Sequence, residues 1–201
     1  MAGLYHVATI VTKEVYMRDL IVAVILVGAV QTFTARAQDT NALKTEIGNF
    51  EAQTNTVLVK GFEELGHVYV TSATVTILCK ESKDITHGRR EYGAALELGG
   101  GPEPRQLAIV DEDELDPLAS GLDYLAELTY DVTALSAFEA DYTTKYGLRF
   151  AGYCSRKPGG IRYYLQVCDG RRVELTNDQL KQLAMLVNKA HDAIVTLRQS
   201  K

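Results

Sequence analysis

The stretch Gln106–Leu125, QLAIVDEDELDPLASGLDYL, decides the fold class because its hydrophobic period changes along its length. Leu107 and Ile109 alternate with their neighbours, which is typical of a short β-strand. After Asp111 the apolar residues recur at the spacing of an amphipathic helix that packs on a sheet. They are Leu115, Leu118, Leu122 and Leu125. A strand that leads directly into such a helix predicts an α+β protein.

The junction between this strand and helix carries a helix-start signal. Asp111 is placed to cap the helix, and Glu114 completes a capping box three residues later. The helix macrodipole favours the carboxylates of 111–116 at this end. A calcium loop is the alternative. It requires alternating oxygen ligands around a glycine, however, and the first glycine after this acidic run is Gly121.

A second unit of the same kind ends the chain. Val173–Leu175 predicts a short strand, and Thr176 with Gln179 forms another capping box before a second apolar stripe. The apolar positions of the two helices align at one constant spacing. The aligned pairs are Leu115/Leu180, Leu118/Leu183, Ala119/Ala184 and Leu122/Val187. This alignment indicates pseudo-repeats over 54–128 and 141–198, although any capped helix after a strand would share some of it.

The remaining pattern predicts strands that pair side by side, with one connector between the halves. A short helix is expected over Asn41–Phe50, and 129–141 has the weak apolar character of a connector. The predicted architecture is an antiparallel sheet with two amphipathic helices packed on one face. The other predicted strands are 56–60, 62–70, 74–80, 92–98, 145–156 and 161–169.

The N-terminal region has the pattern of a secretory signal peptide. Arg18 precedes the apolar run LIVAVILVGAV at 20–30, and Ala35-Arg36-Ala37 supplies small residues at a cleavage site. The run is shorter than the roughly 20 apolar residues of a stable membrane span. We therefore expect a start at Met17, cleavage near Ala37 and export to the periplasm or the medium. A buried N-terminal helix that is never cleaved is the alternative.

The remaining chain, 38–201, fits one domain on length alone. The whole chain is acidic, with 26 Asp and Glu against 21 Lys and Arg, and removal of the signal segment leaves it more acidic, so its field does not attract nucleic acid. Cys79, Cys154 and Cys168 form no CxxC motif and have no histidine at metal-ligand spacing. We therefore predict no metal site and no cofactor.

The predicted hairpin of 145–156 and 161–169 supplies the candidate binding site. If 157–160 form the turn, Tyr153 lies opposite Tyr164, and Leu148, Phe150, Cys154, Tyr163, Leu165 and Val167 share the core face. Tyrosines flanked by arginines stack on flat groups and bind carboxylates or phosphates. A solvated sheet face with an ordinary tyrosine pair is the alternative. The predicted binding residues are Arg149, Tyr153, Arg162 and Tyr164.

Several phrases of the chain resemble an uncharacterised family of exported bacterial proteins. The resemblance implies export and a single domain, and it implies no activity. The phrases are Thr56–Phe62 with Glu64–Gly66, Glu91–Gly93, Asp111–Leu115, Gly121–Leu125, and Phe138–Ala140 with Tyr142–Lys145.

The segment Val173–Leu180 with its helix resembles the last strand and helix of the Whirly and transcriptional coactivator families. Those families use four strands and a helix to bind single-stranded DNA. The basic stretches that they use are absent from this chain, so no binding residue carries over.

No catalytic motif stands out, since no serine lies in a GxSxG elbow and His67, His87 and His191 are scattered. We therefore expect an exported, non-catalytic module that binds a protein, a glycan or an envelope component. A hydrolase with a site assembled from distant positions is one alternative. Single-stranded nucleic-acid binding on a Whirly-like sheet is the other. The oligomeric state stays open.

Overall fold

The computed structural model describes residues 44–100, 104–156 and 160–200. The chain divides into two units, 1–38 and 39–201, and all described residues belong to the second. The predicted signal peptide and its cleavage site, within 1–37, lie outside the described residues. So does the beginning of the helix predicted over Asn41–Phe50, whose described part is α1 (Glu46–Glu51).

The first half of the described chain is an antiparallel sheet whose four strands follow one another in order. Its first strand is continuous through a β-bulge between Glu64 and Gly66, which agrees with the expectation that 62–70 continues 56–60 past a bend at Gly61 or Gly66. The elements are β1 (Leu58–Val70), β2 (Ala73–Asp84), β3 (Arg90–Gly99) and β4 (Gln106–Asp111), followed by helix α2 (Glu112–Ala126).

The second half repeats this order with a second four-stranded antiparallel sheet and a longer helix. A single 3₁₀ turn (Tyr130–Val132) precedes it. The elements are β5 (Phe138–Thr143), β6 (Leu148–Cys154), β7 (Arg162–Val167), β8 (Arg172–Leu175) and α3 (Asn177–Gln199). Each half therefore consists of four strands and then a helix.

The predicted α+β class and antiparallel pairing are confirmed, but the strands form two sheets where the sequence predicts one. The reason is the connection between the halves. After β4 the chain enters α2 and the 3₁₀ turn, so β5 begins a new meander and pairs with β6 rather than with β4. Sequential hairpin pairing thus closes each sheet within its own half.

Strand β5 corrects the prediction of a connector over 129–141. None of its residues is buried, and half-buried positions alternate with exposed ones along its length. Its position at the edge of the second sheet explains this pattern, because an edge strand with one exposed face buries little apolar surface. The half-buried side chains are Phe138, Ala140 and Tyr142.

The core lies between the sheets and the two long helices, which pack against each other. Helix α3 crosses β1, β2 and β3, whereas α2 contacts β3 and β4 of the first sheet and β5 and β6 of the second. The helix positions that align in the sequence are all buried, which confirms the predicted stripes. They are Leu115, Leu118, Ala119, Leu122, Leu180, Leu183, Ala184 and Val187.

Both predicted capping boxes are present, at Asp111/Glu114 and at Thr176/Gln179. The carboxylate of Asp111 has a second task, since it also accepts hydrogen bonds from the backbone N–H groups of Glu46 (2.8 Å) and Ile47 (3.2 Å) at the start of α1. One buried side chain therefore caps two helices. The acidic run is used for helix capping, as the sequence predicts.

Helix α1 covers part of the outer face of the first sheet, which we call the first face. It lies over β2, β3 and β4 and places Glu51 beside Lys80. The Lys80 ammonium, with a side chain only 3% exposed, lies 2.8 Å from the Glu51 carboxylate. Burial lowers the pKa of Lys80, although the hydrogen bond to Glu51 opposes that change. The part of the first face that α1 covers is therefore closed over a buried ion pair.

Candidate functional site

The structure assigns the residues of the predicted hairpin to the two faces that the sequence predicts. Arg149, Tyr153, Arg162 and Tyr164 lie together on the outer face of the second sheet, which we call the tyrosine–arginine face. The residues predicted for the other face are all buried in the core. They are Leu148, Phe150, Cys154, Tyr163, Leu165 and Val167.

The register of the hairpin differs from the prediction by two residues. Tyr153 pairs with Arg162, and Tyr164 pairs with Ala151. Ladder pairing between the two strands stops at Tyr153 and Arg162, before it reaches the predicted turn residues 157–160. A shift of two residues keeps every side chain on its face, because side chains alternate with a period of two. The predicted pairing of Tyr153 with Tyr164 is therefore wrong, whereas the predicted set of residues on the face agrees with the structure.

The shifted register makes the two tyrosines diagonal neighbours with arginines around them. The rings of Tyr153 and Tyr164 meet edge to face, with centroids 6.0 Å apart. Arg162 lies over the Tyr153 ring at 5.9 Å, and Arg149 lies over the Tyr164 ring at the same distance. Arg172 of β8 is closest, with its guanidinium carbon 3.9 Å from the Tyr164 centroid. Such cation–π contacts hold the arginines against the sheet.

Carboxylates on the outer strands pair with these arginines. Arg149 lies 3.0 Å from Glu139 and 3.3 Å from Asp141, both on β5. Arg162 pairs with Glu174 of β8. Because the hydrogen bond that Arg149 donates to Asp141 favours the charged guanidinium, the pKa of Arg149 is raised. Arg149 and Arg162 therefore already have carboxylate partners.

Tyr164 lies at the base of the face rather than on its surface. It is only 2% exposed, and its hydroxyl donates a hydrogen bond to Glu139. Burial and this hydrogen bond both raise the pKa of Tyr164. Tyr153 is half-buried, and Arg162 and Arg172 are exposed. A ligand on this face would therefore contact Tyr153 and the arginines, while Tyr164 holds them in position.

Sequence reasoning missed half of this face, namely Glu139, Asp141, Arg172 and Glu174. Glu139 and Asp141 were missed because they fall in the predicted connector over 129–141. The signal was present, because Phe138, Ala140 and Tyr142 alternate with polar residues over the six residues of FEADYT. The other two flank Val173 in a strand that was predicted, and alternation alone places them opposite the core.

An open polar cavity of about 320 Å³ adjoins the tyrosine–arginine face. It shares Arg149 and Gln166 with the face and adds Lys44 and Cys168. The thiol of Cys168 donates to the carbonyl of Tyr146 at 3.3 Å. Cys79 and Cys154 are buried, free thiols. The cavity extends the face with further hydrogen-bonding groups.

The histidines of the described chain each contact a carboxylate. His67 pairs with Glu64, and His191 pairs with Asp116. The third, His87, lies 2.7 Å from the buried carboxylate of Asp84. A hydrolytic triad would connect a hydroxyl to the imidazole and the imidazole to the carboxylate.

The arrangement around Asp84 differs from a triad. The Thr56 hydroxyl donates to one carboxylate oxygen, and His87 Nδ1 lies on the other. Asp84 also accepts from the backbone N–H groups of Thr86 and His87, which fixes the turn after β2. These hydrogen bonds, led by that of Thr56, hold the pKa of Asp84 well below its usual range. The cluster is a turn-stabilising one.

Within residues 44–100, 104–156 and 160–200, no group of three or more His, Cys, Asp or Glu residues is arranged to hold a metal ion. No helix in this part of the chain is long and apolar enough to cross a membrane. Comparison of the chain with models of known families, with curated proteins and with solved structures finds no match.

Proposed function

We propose that this chain is an exported, non-catalytic module that binds a component of the bacterial envelope on the tyrosine–arginine face. The observation that carries the proposal is the composition of that face. A half-buried tyrosine is surrounded by alternating guanidinium and carboxylate groups, and an open polar cavity continues from it. Export itself rests on the signal pattern at 20–30.

A glycan is the ligand class that this chemistry fits best, ahead of an envelope protein. Sugar hydroxyls both donate and accept hydrogen bonds, so they suit a face that offers donors on Arg162 and acceptors on Glu174. The flat ring of Tyr153 offers an apolar surface to one side of a sugar. The balance of charges makes the face a poor match for a polyanion, which needs cations without nearby carboxylates.

Binding to isolated peptidoglycan sacculi and to soluble N-acetylglucosamine oligosaccharides tests the proposal. We expect the full chain to bind, and Tyr153→Ala and Arg162→Ala each to weaken binding about tenfold, as expected for loss of a ring or charged contact of roughly 1–1.5 kcal/mol. Tyr124→Ala is the matched control, because Tyr124 is an exposed tyrosine on α2.

The glycan proposal is contradicted if the chain binds neither sacculi nor oligosaccharides, or if Tyr153→Ala leaves the binding unchanged. If the immobilised chain instead retains an envelope protein, and Tyr153→Ala abolishes that retention, the ligand is a protein and the binding face stays as proposed. The hydrolase alternative predicts turnover of the soluble oligosaccharide, which chromatography of the same samples would reveal.

Binding of single-stranded nucleic acid is a second candidate, supported by the architecture. Each half of the chain has four antiparallel strands followed by a helix, which is the arrangement that the Whirly resemblance implies. Charge argues against it, since the net charge of the whole chain is −5 and two arginines of the tyrosine–arginine face, Arg149 and Arg162, have carboxylate neighbours.

Fluorescence anisotropy with a labelled single-stranded oligonucleotide separates the two candidates. Binding at low salt that weakens as salt is added would support the nucleic-acid function, because counterion release drives such binding. If the anisotropy does not change when the chain is added at low salt, the nucleic-acid function is contradicted. Arg172→Ala should weaken this binding in particular, because Arg172 lies closest to the ring of Tyr164.

A further inference from the structure

Strand β1 is an edge strand of the first sheet, and its two ends differ in how they are covered. Toward its C-terminal end, Lys189 of α3 donates to the carbonyl of Leu65 at 2.7 Å, and Gln179 donates to that of Tyr69 at 2.8 Å. Leu186 packs so closely on Gly66 that an added Cβ would lie 2.7 Å from it. Side chains of α3 therefore cover this half of the edge.

The other half of the edge, 58–64, presents apolar side chains to solvent. Val59 is 52% exposed and Phe62 is 53% exposed. A long edge with exposed apolar residues is the kind of surface that pairs with another strand. We call this stretch the open edge.

The direction of the backbone groups along the open edge follows from its pairing with β2. Ile85 N–H donates to the carbonyl of Val57, so Val57 is a hydrogen-bonded position. Hydrogen-bonded and non-hydrogen-bonded positions alternate along an antiparallel pair. Lys60, Phe62 and Glu64 therefore direct their N–H and C=O groups away from β2. Their side chains also share one side of the sheet.

The charge pattern of these outward positions is self-complementary. In an antiparallel pair of two β1 strands centred on Phe62, Lys60 of one copy lies opposite Glu64 of the other, and the same contact forms again across the two-fold axis. The two Phe62 rings meet at the centre. Opposite charges directly across a strand pair are stabilising, and like charges are destabilising.

Other registers that keep the outward groups paired fit less well. Centring on Lys60 would oppose two lysines, and centring on Glu64 would oppose two glutamates. Centring on Gly61 or on Glu63 would set Phe62 opposite Lys60 or Glu64, so that no lysine lies opposite a glutamate among these positions. Lys60 and Glu64 have partners within the chain, Glu51 at 2.6 Å and His67 at 2.9 Å. Both remain accessible, with side chains 43% and 55% exposed, so each has room for a second contact.

We propose that the open edge of β1 pairs with the open edge of a second copy of this chain, in the antiparallel register centred on Phe62. The result is a homodimer in which the two first sheets join into one continuous sheet. The tyrosine–arginine face belongs to the other sheet, so the dimer would present that face twice, and multivalent binding of a repeated ligand would gain from it. The dimer itself does not depend on the function proposed above.

Sedimentation velocity of the full chain over a range of concentrations tests the proposal. We expect a monomer–dimer equilibrium. Lys60→Glu and Glu64→Lys should each raise the dimer Kd about tenfold or more, because each single change places like charges opposite each other twice. The double variant K60E/E64K restores opposite charges and should return the Kd to within about threefold of the original.

Glu63→Lys is the matched control for Glu64→Lys. It makes the same change of charge at the next residue, but its backbone pairs with Cys79 of β2 and its side chain faces the other way. We expect it to leave the Kd unchanged. Phe62→Pro adds a second measurement, since it removes an outward N–H that β2 does not use, and it should abolish the dimer.

A chain that stays monomeric at every concentration overturns the proposal and leaves the open edge to a different partner. A dimer that responds equally to Glu63→Lys and Glu64→Lys, or that K60E/E64K fails to restore, overturns the register and with it the pairing. Far-ultraviolet circular dichroism of each variant shows that it is folded, and the charge series decides the matter even where Phe62→Pro fails to fold.

Discussion

The two sheets have the same order of strands, yet their outer faces are closed in different ways. The first face is covered by α1, which places Glu51 over a lysine that is almost completely buried. The tyrosine–arginine face is covered by its own side chains, among which Arg172 lies 3.9 Å from the centre of the Tyr164 ring. Where α1 lies over its buried ion pair, the first face leaves no room for a ligand. Exposed arginines in contact with carboxylates can exchange those contacts for a ligand's groups, so only the second arrangement suits reversible binding.

Removing Glu51 should have the largest effect, because it leaves the Lys80 ammonium buried without its partner. We expect Glu51→Ala to lower the free energy of unfolding by about 3 kcal/mol, the range seen when one partner of a buried ion pair is removed. Urea denaturation followed by circular dichroism measures it. Arg162→Ala on the tyrosine–arginine face is the contrasting control, and it should cost less than about 1 kcal/mol because its pair with Glu174 is exposed.

The outcome that contradicts this contrast is an equal loss from the two variants. It would mean that Lys80 gains access to water in solution and that α1 does not seal the first face. The double variant K80M/E51L refines the test, because replacing a buried ion pair with apolar residues is often neutral or stabilising.

The two capping boxes should differ in strength, because only one of them serves two helices. Asp111→Ala removes the cap of α2 together with the acceptor of two N–H groups of α1, and we expect a loss of about 2 kcal/mol. Thr176→Ala removes only the cap of α3 and should cost about 1 kcal/mol. Thermal denaturation of both variants compares them. Equal losses would show that the bonds between α1 and Asp111 contribute nothing.

Within the tyrosine–arginine face, Tyr164→Phe isolates the hydrogen bond at its base. The variant keeps the ring beneath Arg172 and loses the hydroxyl that donates to Glu139. We expect a loss of about 1 kcal/mol, the net contribution of an ordinary hydrogen bond. Tyr153→Phe is the control, and it should change stability by less than that. A larger loss from Tyr153→Phe would contradict the assignment of Tyr164 as the base.

Acid should lower the stability of the fold only at low pH. Near neutral pH its effect is therefore the smallest of these predicted effects. The folded-state pKa of Asp84 is lowered, so its contribution to stability is complete above the ordinary aspartate pKa of about 4 and is lost as pH falls below it. Melting temperatures between about pH 2 and pH 7 should be flat at first and then decline. Asp84→Asn should flatten the acid decline, and an unchanged decline would remove Asp84 as its cause.

The class of the fold and the faces of its strands could be predicted from sequence because both rest on short-range periodicity. The capping boxes, the helix stripes and the faces of β6 and β7 are local patterns, and the structure bears them out. The number of sheets could not be predicted, since it depends on whether β4 and β5 pair across α2. Edge strand β5 was missed because only three apolar residues, Phe138, Ala140 and Tyr142, mark it in the sequence, and the predicted connector overlapped it.

The tyrosine–arginine face shows the same limit on a smaller scale. Alternation placed Arg149, Tyr153, Arg162 and Tyr164 on one face, and it would have done so for any even shift of register. It could not show that Tyr164 is buried, because the residue that covers it, Arg172, comes from a different hairpin. Periodicity predicts which side of the sheet a residue faces. Whether that residue is exposed to solvent depends on its neighbours in the folded structure.

The anchoring of α1 has a consequence for the order in which the chain folds. A helix of six residues does not persist by itself in water, so α1 forms only when it is docked. Its acceptor Asp111 lies 65 residues further along the chain than Glu46. Helix α1 is synthesised before the other described elements, but it can therefore dock only after β4 is in place. In native-state hydrogen exchange its amides should be among the first to open, well before those of α2 and α3.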